Sequence, residues 1–306
     1  MGGDDLDEEN EDDNPTINCL YFDSPSFELY NDKLVKKPDS SSLRIKWVGK
    51  LSDKPKITVE KKVFDQSSQD FSLGQKINIK EKYLDLFVQG TFDTTKFVQK
   101  LAKRGSKKDE IKQFADDVKD LEAFINEHNL QPCMRTTYKR TAFQIPGDDR
   151  VRIVIDSDLL FIREDAFDSE RPIRDPAKWH RTDIDQSNLK PSQFLRKGEF
   201  NKFPYSVMEI KAKKSLRNNR PQWISDLVSL HLVKEIPNFS KFIQGIATLF
   251  LEDDKLASIP LWFHDLETDI KVDPDRAYVD YKNKAVKQQT EEENLNHFVV
   301  MTVMDK

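Results

Sequence analysis

The residues of this chain that could do chemistry are basic, and they recur at every second position along stretches that read as β-strands. In 42–49 (SLRIKWVG) Leu43, Ile45 and Trp47 share one face while Arg44 and Lys46 share the other. In 56–64 (KITVEKKVF) Thr58, Glu60 and Lys62 lie together, opposite Ile57 and Val59. In 75–83 (QKINIKEKY) Lys76, Asn78, Lys80 and Lys82 oppose Ile77 and Ile79. In 149–156 (DRVRIVID) Arg150 and Arg152 oppose Val151, Ile153 and Ile155, and Tyr138 and Arg140 are in phase in 135–146 just upstream. In 203–214 (FPYSVMEIKAKK) Glu209, Lys211 and Lys213 fall with Tyr205 and Val207, opposite Met208, Ile210 and Ala212. Any one such face suits solvent, because lysine on an edge strand guards against aggregation. Five strands with the same bias argue for more, since like charges across a ladder repel and an anion is needed to hold them together.

A bore of Arg and Lys suits a triphosphate or a phosphate chain: the guanidinium fork takes two phosphate oxygens and Lys adds point charge. Phosphoryl transfer in such a site needs positioning, charge neutralisation and a divalent metal rather than a covalent protein intermediate. Glu209, in phase with Lys211 and Lys213, is the candidate for holding Mg2+ or Mn2+ against bound phosphates. Glu60 is a second inward acid, equally suited to an ion pair with Lys62 or a neighbouring Arg. By phase, Lys76, Lys80, Arg150 and Lys211 join the phosphate-binding candidates. Lys241 interrupts the apolar run FSKFIQGIATLF, from which it could reach an anion or snorkel to solvent.

The elements that must position these groups follow from the same patterns. If the sheet closes, its apolar faces must point outward under helices and its basic faces must line the interior. The expected architecture is α+β: a closed or nearly closed antiparallel β-barrel with a basic interior and helices packed outside. Ile111, Phe114, Val118, Leu121 and Phe124 recur at helical spacing in 107–129. Residues 222–251 supply a second pair of helices, broken at Pro237.

Composition narrows the classes further. The chain has 306 residues, 37% hydrophobic and 34% charged, and no apolar run approaches the ~18 residues of a spanning helix. Two cysteines, Cys19 and Cys133, are too few for a disulfide framework and point to a reducing compartment. The five histidines are scattered, and nine glycines leave no phosphate-cradling glycine loop. No secretory signal is expected. The formal charge of -5 hides an asymmetry, because residues 1–16 hold eight acids and no Lys or Arg, so the remainder is net basic. That block reads as a disordered acidic linker, and a start inside a linker suggests an excised fragment.

The runs LYFDSPSFELYNDKL, SLRIKWVGK, ITVEKKVF, YKRTAFQIPGDDRVRIVIDSDLLFIRED, FPYSVMEIK and HLVKEIPNFSKFIQGIATLF, taken in order, resemble the central domain of the vacuolar transporter chaperone subunits. The resemblance covers about residues 17–270. It implies a triphosphate tunnel fold of the kind that makes inorganic polyphosphate from ATP in fungi, with a nucleoside triphosphate in the bore and a metal on the family's glutamate. Carried over, the family's phosphate-binding positions fall on Arg44, Lys46, Lys62, Arg140, Arg152 and Lys241, its tyrosine on Tyr138 and its metal glutamate on Glu209. Arg140, Arg152, Lys62 and Tyr138 are the catalytic candidates among them.

The sequence departs from the catalytic subunit's pattern: Lys46 stands where Arg is usual, Gly74 where a tunnel Lys is expected, and the first tunnel strand is absent. With the insertion TKFVQKLAKRGSKKDEIKQFADDVKDLEAFINEHNLQP, these departures favour an accessory subunit that binds triphosphate or polyphosphate. An active, metal-dependent ATP:polyphosphate phosphotransferase is the alternative. The implied partners are ATP or triphosphate, polyphosphate and the other subunits of the complex. The implied place is the cytosolic face of the vacuolar membrane, with membrane contact only through segments outside this chain. The division expected is an acidic linker at 1–16, a tunnel domain at 17–270, and a polar, helical extension at 271–306. An RNA-binding sheet is disfavoured because Trp47 and Phe143 are out of phase with the basic residues. Other tunnel triphosphatases are disfavoured by the lack of a strand rich in inward acids.

Overall fold

The computed structural model describes residues 14–66, 70–103, 105, 107–147, 150–187, 191–213, 221–229, 233–253, 255–268 and 299–305. The acidic block before residue 14 and most of the expected C-terminal extension lie outside these residues. In chain order the elements are β1 (Thr16–Asp23), α1 (Glu28–Leu34), β2 (Ser41–Val48), β3 (Thr58–Asp65), β4 (Asp70–Asn78), α2 (Leu84–Val88), α3 (Thr95–Lys103), α4 (Lys108–Glu127), β5 (Gln131–Gln144) and β6 (Val151–Arg163). They continue with α5 (Thr182–Gln186), α6 (Pro191–Phe194), β7 (Phe200–Lys202), β8 (Ser206–Ala212), α7 (Gln222–Ser229), β9 (Val233–Glu235), α8 (Lys241–Phe250), α9 (Trp262–Thr268) and β10 (Val299–Asp305).

The strands form one sheet in the order β4-β3-β2-β1-β5-β6-β8-β10-β9, with β7 paired to β6. Every pairing is antiparallel except those of β10, which runs parallel to β8 and β9. Among the described residues the ladder has two ends, β4 and β9, so the closed or nearly closed barrel expected from the alternation is corrected to an open sheet. Closure would need β4 to meet a partner strand at the far end, and that end is the three-residue β9. The sheet nevertheless curls. Strand twist supplies part of the curvature, and register shifts at Tyr21/Phe22, Lys61/Lys62 and Thr137/Lys139 add local bends. The curl brings Phe64 of β3 and Phe71 of β4 to the same cavity as Lys234 and Glu235 of β9.

Alternation decides what each face meets. Leu20, Leu43, Ile45, Trp47, Val59 and Ile77 point outward and share one buried cluster with Val118, Leu121 and Ile125 of α4. A second cluster joins Ile153 and Ile155 of β6 with Met208 and Ile210 of β8 under Ile224 of α7. Two helical expectations change. The first helix predicted over 222–251 ends at Ser229, and Val233–Glu235 forms β9 instead. The described end of the C-terminal stretch, Val299–Asp305, is a strand rather than a helix, as its β-branched valines favour.

One helix sits inside. Phe242 of α8 stacks on Tyr21 of β1 at 5.2 Å, and Tyr21 points to the same side as Arg44 across the ladder. Gly245 permits this approach, because a Cβ there would come within 2.6 Å of the Phe161 ring and would collide with Met134 Sδ. The expectation that all helices pack outside is therefore corrected for α8, which closes the concave side of β1, β5 and β6. On the opposite side, buried Arg135 pairs with Glu164 at 2.5 Å and Asp185 at 2.9 Å, pinning the long connection between β6 and β7 to the outer face.

Candidate anion-binding site

The concave face of the sheet and the start of α8 enclose a cavity of about 560 Å³. Arg44 and Lys46 reach it from β2, Lys62 from β3, Tyr138 and Arg140 from β5, Glu209 and Lys211 from β8, and Lys241 from the first position of α8. These are residues of alternate parity on antiparallel strands, which is why one side of the sheet collects them. Lys33 and Lys36 near the end of α1 and Lys234 of β9 line the same cavity.

Three carboxylates answer part of this charge. Glu60 accepts from Arg44 Nη2 at 2.6 Å and Nε at 2.8 Å. Asp156, with its side chain fully buried, accepts Arg140 Nε at 2.7 Å and Nη2 at 2.9 Å and also takes Lys241 Nζ at 2.5 Å. Glu209 pairs with Lys211 at 2.9 Å. The Tyr138 ring lies beneath two of these cations, 5.4 Å from Arg140 Cζ and 5.1 Å from Lys241 Nζ. Lys46 and Lys62 have no carboxylate ion pair among the described residues.

The electrostatics follow. Burial pushes the Glu60, Asp156 and Glu209 carboxyls up, but neighbouring cations outweigh it and hold all three below the usual carboxylate range. For Glu209 those cations are Lys211, Lys241 and Arg140. Lys62 is driven down to about 8, first by Arg44, then by burial and by Lys211, against a smaller pull from Glu209 and Glu60. Burial and Arg44 also lower Lys46. The cavity is thus short of negative charge.

Four candidates from the sequence are not brought into it. Arg152 lies on the concave face directly across from Lys211, but past the cavity wall towards the β5–β6 hairpin. Arg150 is exposed before the start of β6, Lys80 is exposed past the end of β4, and Lys76, though across from Glu60, is exposed on an edge strand. Alternation reports which face a residue takes, not how far along the strand the cavity extends. Gly74 stands at the β-bulge where Lys61 and Lys62 oppose Gln75 and Leu73, so edge strand β4 lends no cation there. The sequence reading missed Asp156, whose signal was its parity with Arg152 on β6, and Tyr21.

The donor set bears on a divalent metal. Among the described residues no three His, Cys, Asp or Glu side chains come together as a ligand cluster. Glu60 and Asp156 are engaged by cations, and of the lining carboxylates Glu209, Glu235 and Asp265 it is Glu209, paired with Lys211, that sits among the Arg and Lys side chains of the sheet. One carboxylate fits Mg2+ or Mn2+ only as the protein anchor of a metal ligated mainly by phosphate oxygens.

Comparison with known proteins sets this site in a family. The chain is 47% identical over 299 residues to vacuolar transporter chaperone complex subunit 2 of Saccharomyces cerevisiae, covering 90% of this chain and 36% of that protein. It is 41% identical over 264 residues to subunit 2 of Schizosaccharomyces pombe, covering 86% and 35%. It is 33% identical over 257 residues to subunit 4 of the same organism, covering 83% and 34%. The chain thus spans about a third of the length of the curated relatives it matches. A solved structure from Pyrococcus horikoshii OT3 aligns at a TM-score of 0.25 and 11% identity over 48% of this chain and 57% of its own, too distant a likeness to bear on the fold. The family profile described as the VTC domain matches residues 3–250, spanning the strands and the helix that build the basic cavity, and the chain belongs to the VTC domain family.

Proposed function

We propose that the basic cavity is a receptor for triphosphate or inorganic polyphosphate, and that the chain serves as the tunnel domain of an accessory subunit in a polyphosphate-synthesising vacuolar transporter chaperone complex. One observation carries the reading: Arg44, Lys46, Lys62, Arg140, Lys211 and Lys241 line a cavity together with Lys33, Lys36 and Lys234, the carboxylates on that lining are Glu209, Glu235 and Asp265, and Lys46 and Lys62 are left with no ion pair among the described residues. Nine Lys and Arg side chains against three carboxylates on the lining of a partly enclosed site attract a compact polyanion more strongly than a singly charged one. The open sheet still acts as a tunnel because its curl and α8 wall the cavity. A divalent metal bound with the phosphates at Glu209 would neutralise charge on the phosphate oxygens. The accessory role is supported by Lys46 in place of arginine and by Gly74 at a bulge outside the cavity. Association with the vacuolar membrane and with other subunits belongs to the same proposal; no described helix is long and apolar enough to cross a membrane.

Calorimetry of the purified chain against triphosphate, long-chain polyphosphate, monophosphate and single-stranded RNA tests it. Triphosphate and polyphosphate should bind more tightly than monophosphate, weaken as salt rises, and lose at least tenfold in affinity in the Lys46→Ala/Lys62→Ala variant. No triphosphate binding, or an RNA affinity above that for polyphosphate, overturns the reading.

A further inference from the structure

Asp156 is a fully buried carboxylate behind the cavity lining, and nothing in the anion-receptor reading yet uses it. It joins three elements. The residue sits on β6, holds the guanidinium of Arg140 from β5 through both oxygens at 2.7 and 2.9 Å, and holds the ammonium of Lys241 from the start of α8 at 2.5 Å. The Asp156 side chain is 0% exposed, whereas those of Arg140 and Lys241 are 25% and 11% exposed, so the two cations reach the cavity and the acid stays behind them.

The donor inventory makes the consequence specific. Arg140 spends its Nε–H and one Nη2–H on Asp156, which leaves the Nη1 edge of the fork for a ligand. Lys241 spends one of three ammonium hydrogens. The guanidinium plane and the ammonium are fixed by a single carboxylate and rest on one Tyr138 ring, so the free donors of two elements are held in one relative geometry. Without Asp156 the two cations would repel each other, and the first turn of α8 would lose its polar tie to the sheet.

We propose that Asp156 is the positioning residue of the anion site, locking Arg140 and Lys241 so that their remaining N–H groups meet adjacent phosphates together. This rests on the cavity being an anion receptor. A purely neutralising role for Asp156 makes the opposite prediction, because removing a negative charge beside a polyanion site strengthens binding.

Asp156→Asn and Asp156→Glu, each checked for cooperative thermal unfolding, are titrated with triphosphate and with monophosphate beside the unaltered chain. Positioning predicts that the Asn variant loses at least tenfold in triphosphate affinity despite its more positive cavity. It also predicts that the Glu variant, which keeps the charge but displaces it by one methylene, fails to recover that affinity. In both variants the preference for triphosphate over monophosphate should shrink. Equal or tighter triphosphate binding by the Asn variant, or full recovery in the Glu variant, overturns the inference while leaving the receptor reading intact. An unaltered chain that binds no triphosphate removes both, and variants that do not fold assign Asp156 to stability instead.

Discussion

Lys62 offers the sharpest test of the cavity's electrostatics. Its ammonium faces Arg44 on β2, Glu60 on its own strand, and Lys211 and Glu209 on β8, and this setting brings it from the ordinary 10.5 to about 8. A bound polyphosphate supplies the missing negative charge and returns the group towards its ordinary range. The group is therefore more easily deprotonated when the cavity is empty than when it is filled, so binding takes up a proton and affinity falls as pH rises through about 8. Linkage with these two values gives a loss of roughly tenfold between pH 7.5 and 9, with about 0.9 proton taken up per ligand at pH 9. Long-chain polyphosphate is the ligand for this test, because each internal phosphate carries one strongly acidic group that is fully ionised over that window and only the two chain ends titrate, so the ligand's charge stays nearly constant. Titration calorimetry in two buffers of different ionisation enthalpy reads the proton uptake directly. Lys62→Arg keeps the charge on a group that does not titrate there and should flatten the profile. Lys62→Met should weaken binding and flatten it as well. A pH-independent affinity in the unaltered chain, or an unchanged slope in Lys62→Arg, would refute the argument.

Arg140→Ala should weaken triphosphate binding at least tenfold, about 1.4 kcal/mol, whereas Arg152→Ala, beyond the cavity wall, should change it far less; equal losses would put Arg152 back among the ligands. Glu209→Gln should reduce Mn2+ uptake in the presence of triphosphate and leave metal-free triphosphate binding equal or slightly tighter, and loss of metal-free binding would reassign Glu209 to orienting Lys211. The isolated chain should form little polyphosphate from ATP and Mn2+; abundant polymer, abolished by Glu209→Ala, would make it a polymerase. Gly245→Ala should destabilise the fold by about 2–3 kcal/mol in chemical denaturation, because the added methyl collides with Met134 and Phe161, and an unchanged midpoint would mean that α8 can lift off the sheet.

The sequence alone was enough to sort Arg44 and Lys46 from Leu43, Ile45 and Trp47, and Glu209 and Lys211 from Met208 and Ile210, because side chains on a strand alternate and burial of one face commits the other. It was also enough for the helix of Lys108–Glu127, whose apolar residues recur every three or four positions. Four things waited for tertiary structure. Alternation has no measure of distance along a strand, so it included Lys76, Lys80 and Arg150, which end in solvent, and Arg152, which overshoots the cavity. It has no information on which strands sit at the edges, so closure was expected where a three-residue β9 leaves the sheet open. A helical apolar stripe does not say which side of a sheet it covers, and only the close contact at Gly245 places α8 within the curl. Asp156 looked like one more strand residue until folding brought Arg140 and Lys241, 16 and 85 positions away in the chain, onto its two oxygens. Charge pairing between distant segments depends on where the chain returns, and local pattern does not encode that.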